Sequence, residues 1–265
     1  MTSENRQIIV ESNDPRVTYV GEWTTVQRNS NNEIDPLRFI SFPTIQSTKT
    51  NSSFSFSFEG SAIFVFGILN GTSNTGIHEC IIDGVSFGFS APASASKPIL
   101  KSGSLCGGAG IPDGTHELAV NIVSDGVATF YMEYLTYSPS LDVSRENSFI
   151  AIDGTDPAIN YISGWTGSTG ATPYNQTTDP NGLVNVTFVG VQLSWYRYIG
   201  AAEPNATVSS GEYSVDGKPF ASFQIPTSET AGNQDLFPLL FDTPSLEMGL
   251  MSYQFDIRER RGKLL

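Results

Sequence analysis

The chain repeats itself, and no other feature constrains its fold as strongly. Residues Val10 to Trp23 read V-E-S-N-D-P-R-V-T-Y-V-G-E-W, and Ile152 to Trp165 read I-D-G-T-D-P-A-I-N-Y-I-S-G-W. Asp14-Pro15, Tyr19 and Trp23 therefore match Asp156-Pro157, Tyr161 and Trp165 at one offset of 142 residues. At 265 residues, a chain made of two copies has room for two domains, each able to bury its own core.

Within each copy the pattern is that of strands. Phe54-Ser-Phe-Ser-Phe58 puts three rings on one face and hydroxyls on the other, the period of two that marks a half-buried strand. Glu59-Gly60-Ser61 punctuates, and Ala62 to Phe66 reads as a second strand. Cys80-Ile-Ile82 leads into Asp83-Gly84, a tight-turn dipeptide, and then into Val85 to Phe89. Residues 90–110 read as loop, and Asp113-Gly114-Thr115 as a turn before His116 to Val123. Thr129 to Tyr137 follows as a last strand. No window carries a helical apolar stripe, so the expected class is all-β: two tandem antiparallel sandwiches of jelly-roll type.

The same order returns after a polar linker. Phe188 and Gly190 match Phe58 and Gly60 at offset 130, and Leu193 to Ile199 stands where Ile63 to Phe66 stood. Tyr213-Ser-Val-Asp-Gly217 repeats the segment ending at Gly84 at offset 133, and the run ending at Ile257 repeats Asp113 to Ile122 at offset 135. The drift in offset is the mark of loops that differ in length between equivalent strands. The expected division is a first domain at 1–139, a linker at 140–147 and a second domain at 148–265. The counterpart of Thr129 to Tyr137 would begin near position 264, so the second domain is expected to lack its last strand unless Arg258 to Leu265 pairs in its place.

Composition excludes some functions. A net charge of −13 argues against a nucleic-acid partner, because phosphate binding needs a basic footprint. The one basic cluster, Arg258 to Lys263, reads as a solvated tail. No apolar run approaches the roughly 20 residues of a membrane span, and the first residues lack the apolar core of a signal peptide. With only 15% charged residues, the surface is polar mainly through hydroxyls and amides.

Candidate catalytic groups are sparse. Gly84-Val-Ser-Phe-Gly88 fits G-x-S-x-G, but a hydrolase elbow needs a strand, a sharp turn and a helix, and here the match runs from a hairpin turn into a strand. The second copy has no serine at this place, and His116 becomes Met251. Both His78 and His116 are expected to be partly buried and hydrogen-bonded rather than catalytic. No catalytic residue, metal site or cofactor is expected. Calcium on Asp14, Asp153 and Asp156 is the one metal worth weighing, and turn capping by these acids is the preferred reading. Cys80 and Cys106 are either a disulfide or two buried thiols, and sequence alone leaves both open.

Aromatics carry the most plausible binding chemistry, since sugar rings stack their C–H faces on Trp and Tyr while amides and hydroxyls fix orientation. Trp165, Tyr174, Trp195, Tyr196 and Tyr198 are the candidates, weighed against a core role for Trp165 and still more for Trp23. Asn51, Asn70, Asn175, Asn185 and Asn205 each begin an N-x-S/T sequon, a small excess over chance that favours a secreted setting.

Taken together, these motifs resemble the tandem ectodomains of cell-surface proteins from mushroom-forming fungi. The resemblance lies in Asp153-Gly-Thr-Asp156-Pro157, Ile159, Tyr161, Gly164 and Trp165, then Tyr174-Asn-Gln-Thr177, Phe188 with Gly190, Tyr213 to Gly217, and Leu246 with Gly249. In the first copy Cys106 and Asp113 to Leu118 also fit. It implies a galactose-binding-like jelly roll, an extracellular setting and a Cys80–Cys106 disulfide. Such proteins commonly carry a signal peptide and a single membrane span after the second domain, neither of which this sequence contains. The expected function is a non-catalytic extracellular module that recognises glycan or cell-wall polysaccharide. A structural spacer or adhesion ectodomain with a protein partner is the alternative, and a glycosidase or esterase the weaker one.

Overall fold

The structure, a computed structural model, describes residues 6–26, 43–71, 78–87, 99–123, 129–168, 174–177, 179, 181–196, 209–225, 239–245 and 249–257. Every regular element in them is a β-strand, and every pairing is antiparallel. The chain divides into two compact units that meet in sequence between Ile152 and Asp153.

The first unit contains β1 (Gln7–Glu11), β2 (Thr18–Val20), β3 (Thr24–Val26), β4 (Thr44–Ser47), β5 (Ser53–Gly71), β6 (His78–Ile82), β7 (Val85–Phe87), β8 (Ile99–Ile122), β9 (Thr129–Pro139) and β10 (Phe149–Ala151). Two of these strands run through both layers. The first half of β5 pairs with β2 and with the second half of β8; its second half pairs with β9 and with the first half of β8. Rings then meet across the core: Phe54 lies 6.2 Å from Phe130, and Phe56 and Phe58 each lie 5.8 Å from Tyr137. This is the alternation of Phe54 to Phe58 expressed as packing, with Leu118, Val120, Met132 and Leu135 filling the space between. Each such side chain contributes on the order of 1.5–3 kcal/mol when fully buried.

Two sequence expectations change here. Phe54–Phe58 and Ala62–Phe66 are not separate strands but one, because the chain bends at Gly60 without leaving the sheet; a Cβ at Gly60 would run into the Ser138 carbonyl. The register shifts at this bend, and Gly110 to Asp113 bulge out of β8 opposite it. Residues 99–110, expected as loop, are the first half of β8, carried by backbone pairing with Ile63 to Gly71.

The second unit contains β11 (Ile159–Ser163), β12 (Trp165–Ser168), β13 (Tyr174–Thr177), β14 (Gly182–Gly190), β15 (Ser194–Tyr196), β16 (Ser209–Val215), β17 (Ala221–Ile225), β18 (Leu239–Asp242) and β19 (Gly249–Ile257). Its main sheet runs β11-β14-β19-β16-β17, strand for strand the order β2-β5-β8-β6-β7 of the first unit. The expected Asp-Gly turns are present in both, with φ of 51° and 79° at Asp83-Gly84 and 48° and 70° at Asp216-Gly217, a left-handed pair that suits a two-residue hairpin. The bulge is copied too. Register shifts between Val65 and Phe66 against β8, and between Trp195 and Tyr196 against β18.

The units differ in the other layer. In the first, β9 joins β1, β4 and β5. In the second, β12–β13 and β15–β18 are separate two-stranded ribbons, and among the described residues no strand joins them. The domain boundary shifts with this. Residues 149–151, expected to open the second domain, form β10, which pairs with β1 and seats Ile150 against the first core. By the repeat, β10 is the counterpart of β1. With no counterpart of β9 described beside it, its hydrogen bonds are made on the open edge of β1. Arg258 to Leu265 lie outside the described residues.

Candidate functional site

The repeated opening motif is a corner. In both units a turn carries the backbone bonds Asp14 N to Glu11 O and Val17 N to Asp14 O, matched by Asp156 N to Asp153 O and Ile159 N to Asp156 O. The acids cap these turns: Asp14 accepts from the Arg16 backbone and guanidinium at 2.8–2.9 Å, Asp156 from Ala158 N at 2.8 Å, and Asp153 from Thr155 at 2.6–2.7 Å. Tyr19 then donates its hydroxyl to Ser12 O at 2.6 Å, and Tyr161 to Gly154 O at 2.8 Å, each seven residues upstream. Burial raises the pKa of both phenols, so they remain donors at any ordinary pH. The corner holds the chain's entrance into each sheet.

The predicted aromatics fall mostly into this packing. Trp23 donates to Val20 O and Ser53 O and sits edge-on to Tyr19 and Phe54. Trp165 packs half-buried against the second core with its ring 5.0 Å from Tyr161, and its Nε1 is shielded without a hydrogen-bond partner. Trp195 packs on the same core, 6.5 Å from Phe241. Tyr196 is half-buried, and desolvation together with the Asp242 charge pushes its pKa up to about 12. Tyr174 is placed only by its backbone, opposite Ser168, and Tyr198 lies outside the described residues. The structure brings Trp165 and Trp195 to one core.

Cys80 and Cys106 are joined as a disulfide, tying β6 to β8. His78 lies beside them, so its ring and the two sulfurs share one buried space in which the sulfurs are already bonded to each other.

Ser86 is exposed on β7 opposite Ile81, in a hairpin and not at a strand-to-helix turn. The nearest histidine chemistry belongs to another bond. His116 Nδ1 lies 2.6 Å from the Asp83 carboxylate and Nε2 2.7 Å from Pro112 O. Both partners are acceptors, an arrangement that favours the doubly protonated ring. The Asp83 bond and the Pro112 carbonyl accordingly raise its pKa. In that doubly protonated form the ring has no lone pair to take a proton from Ser86. Asp83, in turn, is held below the usual carboxylate range by the Glu117 N–H and by His116.

What each unit presents outward is the other face of its main sheet. In the first, Phe54, Phe56, Phe58, Leu118 and Val120 point in, leaving Thr18, Ser55, Ser57 and Ala119 on the outer face. In the second, Val184 and Val186 point in, leaving Asn160, Asn185 and Thr187. Neither set of five strand segments contains a Lys or Arg. These faces are polar and acidic rather than basic: Glu59, Glu79 and Glu117 are exposed on the first, and Glu212 shares the side of β16 that carries Ser214 on the second. Aromatic-first reasoning from sequence passed over them, although the alternation that buries Val184 and Val186 also turns Asn185 outward.

No family model matches the chain, and no curated protein does. Among solved structures, it is similar to the CBM36-1 domain of a multidomain xylanase from the hindgut metagenome of Trinervitermes trinervoides, at 15% identity and a TM-score of 0.30, over 49% of this chain and 94% of that one. It is also similar to the CBM22-1-CBM22-2 tandem domain of Paenibacillus barcinonensis Xyn10C, at 9% identity and a TM-score of 0.29, over 100% of this chain and 95% of that one. A third is a Paenibacillus xanthan lyase, at 12% identity and a TM-score of 0.33, of which this chain spans 25%.

Proposed function

We propose that this chain is a non-catalytic extracellular module that binds a neutral polysaccharide through a polar sheet face free of basic residues. The observation that carries the reading is the outer face of the main sheets, lined by side-chain amides, hydroxyls and a few carboxylates and free of basic residues along its paired strand segments. Such groups donate and accept at once, as sugar hydroxyls do. A chain with net charge −13 repels anionic polymers, which narrows the class to neutral ones. The disulfide supports an oxidising setting outside the cytosol. In this reading Trp165 and Trp195 are packing residues.

The test is a pull-down screen against insoluble neutral polysaccharides, with wild type beside Trp165→Ala and Trp195→Ala. Binding by wild type is expected, and the Trp variants are expected to lose stability before they lose binding selectively. A screen in which folded wild type binds nothing overturns the reading. That result favours the second one, a spacer or adhesion ectodomain with a protein partner, for which exposed Val189 and Val191 supply an apolar contact.

A further inference from the structure

Three side chains that only the first unit possesses meet in its core. His78 and Cys80 stand two residues apart on β6 and are both buried, so both point to the inner face of that strand. Cys106 arrives from the facing layer, on the half of β8 that pairs with Val65. A ring nitrogen of His78 and the two sulfurs all lie within 4.8 Å of one another. The ring is held from two sides: Nε2 lies 3.2 Å from Leu105 O, on the residue before Cys106, and Phe130 packs edge-on at 5.1 Å. A carbonyl can only accept, so Nε2 carries the proton and the lone pair of the neutral ring falls on Nδ1. A backbone carbonyl on one imidazole nitrogen is the arrangement by which proteins orient a metal-binding histidine.

Closing a disulfide takes two cysteines and no histidine. The repeat shows that the sheet itself needs none of the three. At the same offsets, 133 for β6 and 135 for β8, the second unit has Gly211, Tyr213 and Phe241. The set is replaced as a whole. Two thiols and an imidazole make a soft-to-borderline donor set of the kind that suits zinc. Two thiolates also balance the charge of a divalent ion, so the loaded site brings no net charge into a core that includes Ile82, Leu105, Val120 and Phe130. Ligands about 2.0–2.3 Å from a tetrahedral zinc lie about 3.5–3.8 Å apart, a spacing the sulfurs reach only when the bond between them is open.

We infer that reduction of the Cys80–Cys106 bond turns this trio into a zinc site, with His78, Cys80 and Cys106 as its protein ligands. The ion then replaces the covalent bond as the link between β6 and the first half of β8. A phosphine reductant opens the bond by taking up the oxygen of one water while the two sulfurs take its two hydrogens. Zinc then displaces both thiol protons and binds the two thiolates. Cys106 is only partly buried, so reductant and ion enter on its side, and a water there fills the fourth tetrahedral position. The oxidised protein has no thiolate to offer and does not hold the ion at this place. The site neither needs nor alters the polysaccharide face.

The experiment uses the full chain made in the bacterial periplasm, where the disulfide forms, and handled without oxygen, with and without a water-soluble phosphine. Zinc affinity is read by competition with a chromophoric chelator for wild type, His78→Phe and the surface control Asp142→Asn. Reduced wild type is expected to bind a single zinc at least about a hundredfold more tightly than the oxidised chain, and zinc to raise the melting temperature of the reduced first unit. His78→Phe, which keeps a ring against Phe130, should weaken binding at least about tenfold, and Asp142→Asn should not. X-ray absorption at the zinc edge tests wild type without any variant: two sulfurs at about 2.3 Å and one imidazole nitrogen at about 2.0 Å are expected. The chain has only two histidines, and His116 is bonded through both ring nitrogens to Asp83 and Pro112 O, so that imidazole reports His78. Reduced wild type that binds no zinc, or binds it no better than the oxidised chain, overturns the site. So does an unchanged affinity in folded His78→Phe, or a zinc edge without imidazole, either of which leaves only a pair of cysteines. If His78→Phe does not fold, the zinc edge decides.

Discussion

Tyr213 and Phe241 stack nearly parallel, with ring centroids 4.5 Å apart and planes 14° from coplanar, at the two positions that Cys80 and Cys106 hold in the first unit. The register proves the equivalence. Cys80 faces Val120 as Tyr213 faces Phe255, and Cys106 faces Val65 as Phe241 faces Trp195. One copy fastens its two layers with a covalent bond, and the other does so with a ring contact. A reductant is therefore expected to lower the unfolding transition of the first unit alone. Cys80→Ala with Cys106→Ala should cost that unit about 3 kcal/mol, whereas Phe241→Ala should cost the second about 3–5 kcal/mol and leave reductant without effect. Calorimetry with and without reductant separates the two transitions.

The corner tyrosines make a matched pair of predictions. Tyr19→Phe leaves Ser12 O without its donor, and Tyr161→Phe does the same, in part, to Gly154 O. Gly154 O also receives Asn175 Nδ2 at 2.7 Å, so the second corner keeps one donor. Tyr19→Phe is expected to cost about 1–3 kcal/mol, the range for a buried group left unpaired, and Tyr161→Phe less. Denaturant titration of the two variants checks the order.

The first unit should also weaken in mild alkali. His116 has a folded pKa raised above its ordinary value by Asp83 and Pro112 O. A raised histidine contributes stability fully below its unfolded pKa, and that contribution is lost as pH rises through the folded one. Asp113 adds to the same field, while the Phe58 ring, 5.4 Å away, covers one face of the imidazole. The melting temperature of the first unit is expected to fall by a few degrees from pH 6 to pH 9. His116→Gln should flatten that slope, and the second unit, with Met251 at this place, should show none of it.

Among the sequons, geometry separates those on described side chains. Asn51 is exposed in the turn before β5, with φ of 67°. Asn175 uses its attachment nitrogen on Gly154 O, and Asn185 lies mid-strand with its amide oxygen shielded. Secreted from a eukaryotic host, the folded protein is expected to carry glycan at Asn51 and to show lower occupancy at Asn175 and Asn185. Peptide mass spectrometry after enzymatic deglycosylation in heavy water reads each site. The Asn70 side chain and Asn205 lie outside the described residues.

Sequence alone determined the repeat, the all-β class, the strand periodicity and the Asp-Gly turns, because each is written in local chemistry: alternation, left-handed turn residues and a motif copied at fixed spacing. It also gave reason to read Trp23 and the Asp14 and Asp156 turns as structural. The tertiary structure alone decided that Gly60 bends one strand instead of ending it, and that Phe149 to Ala151 belong to the first unit. It also showed that a disulfide and a ring stack are equivalents, and that Asn160 and Asn185 face each other with an acceptor left unpaired. These depend on which segment a strand edge meets. Residues 25 or more apart in sequence share a rung only through register, and no local pattern encodes register by itself.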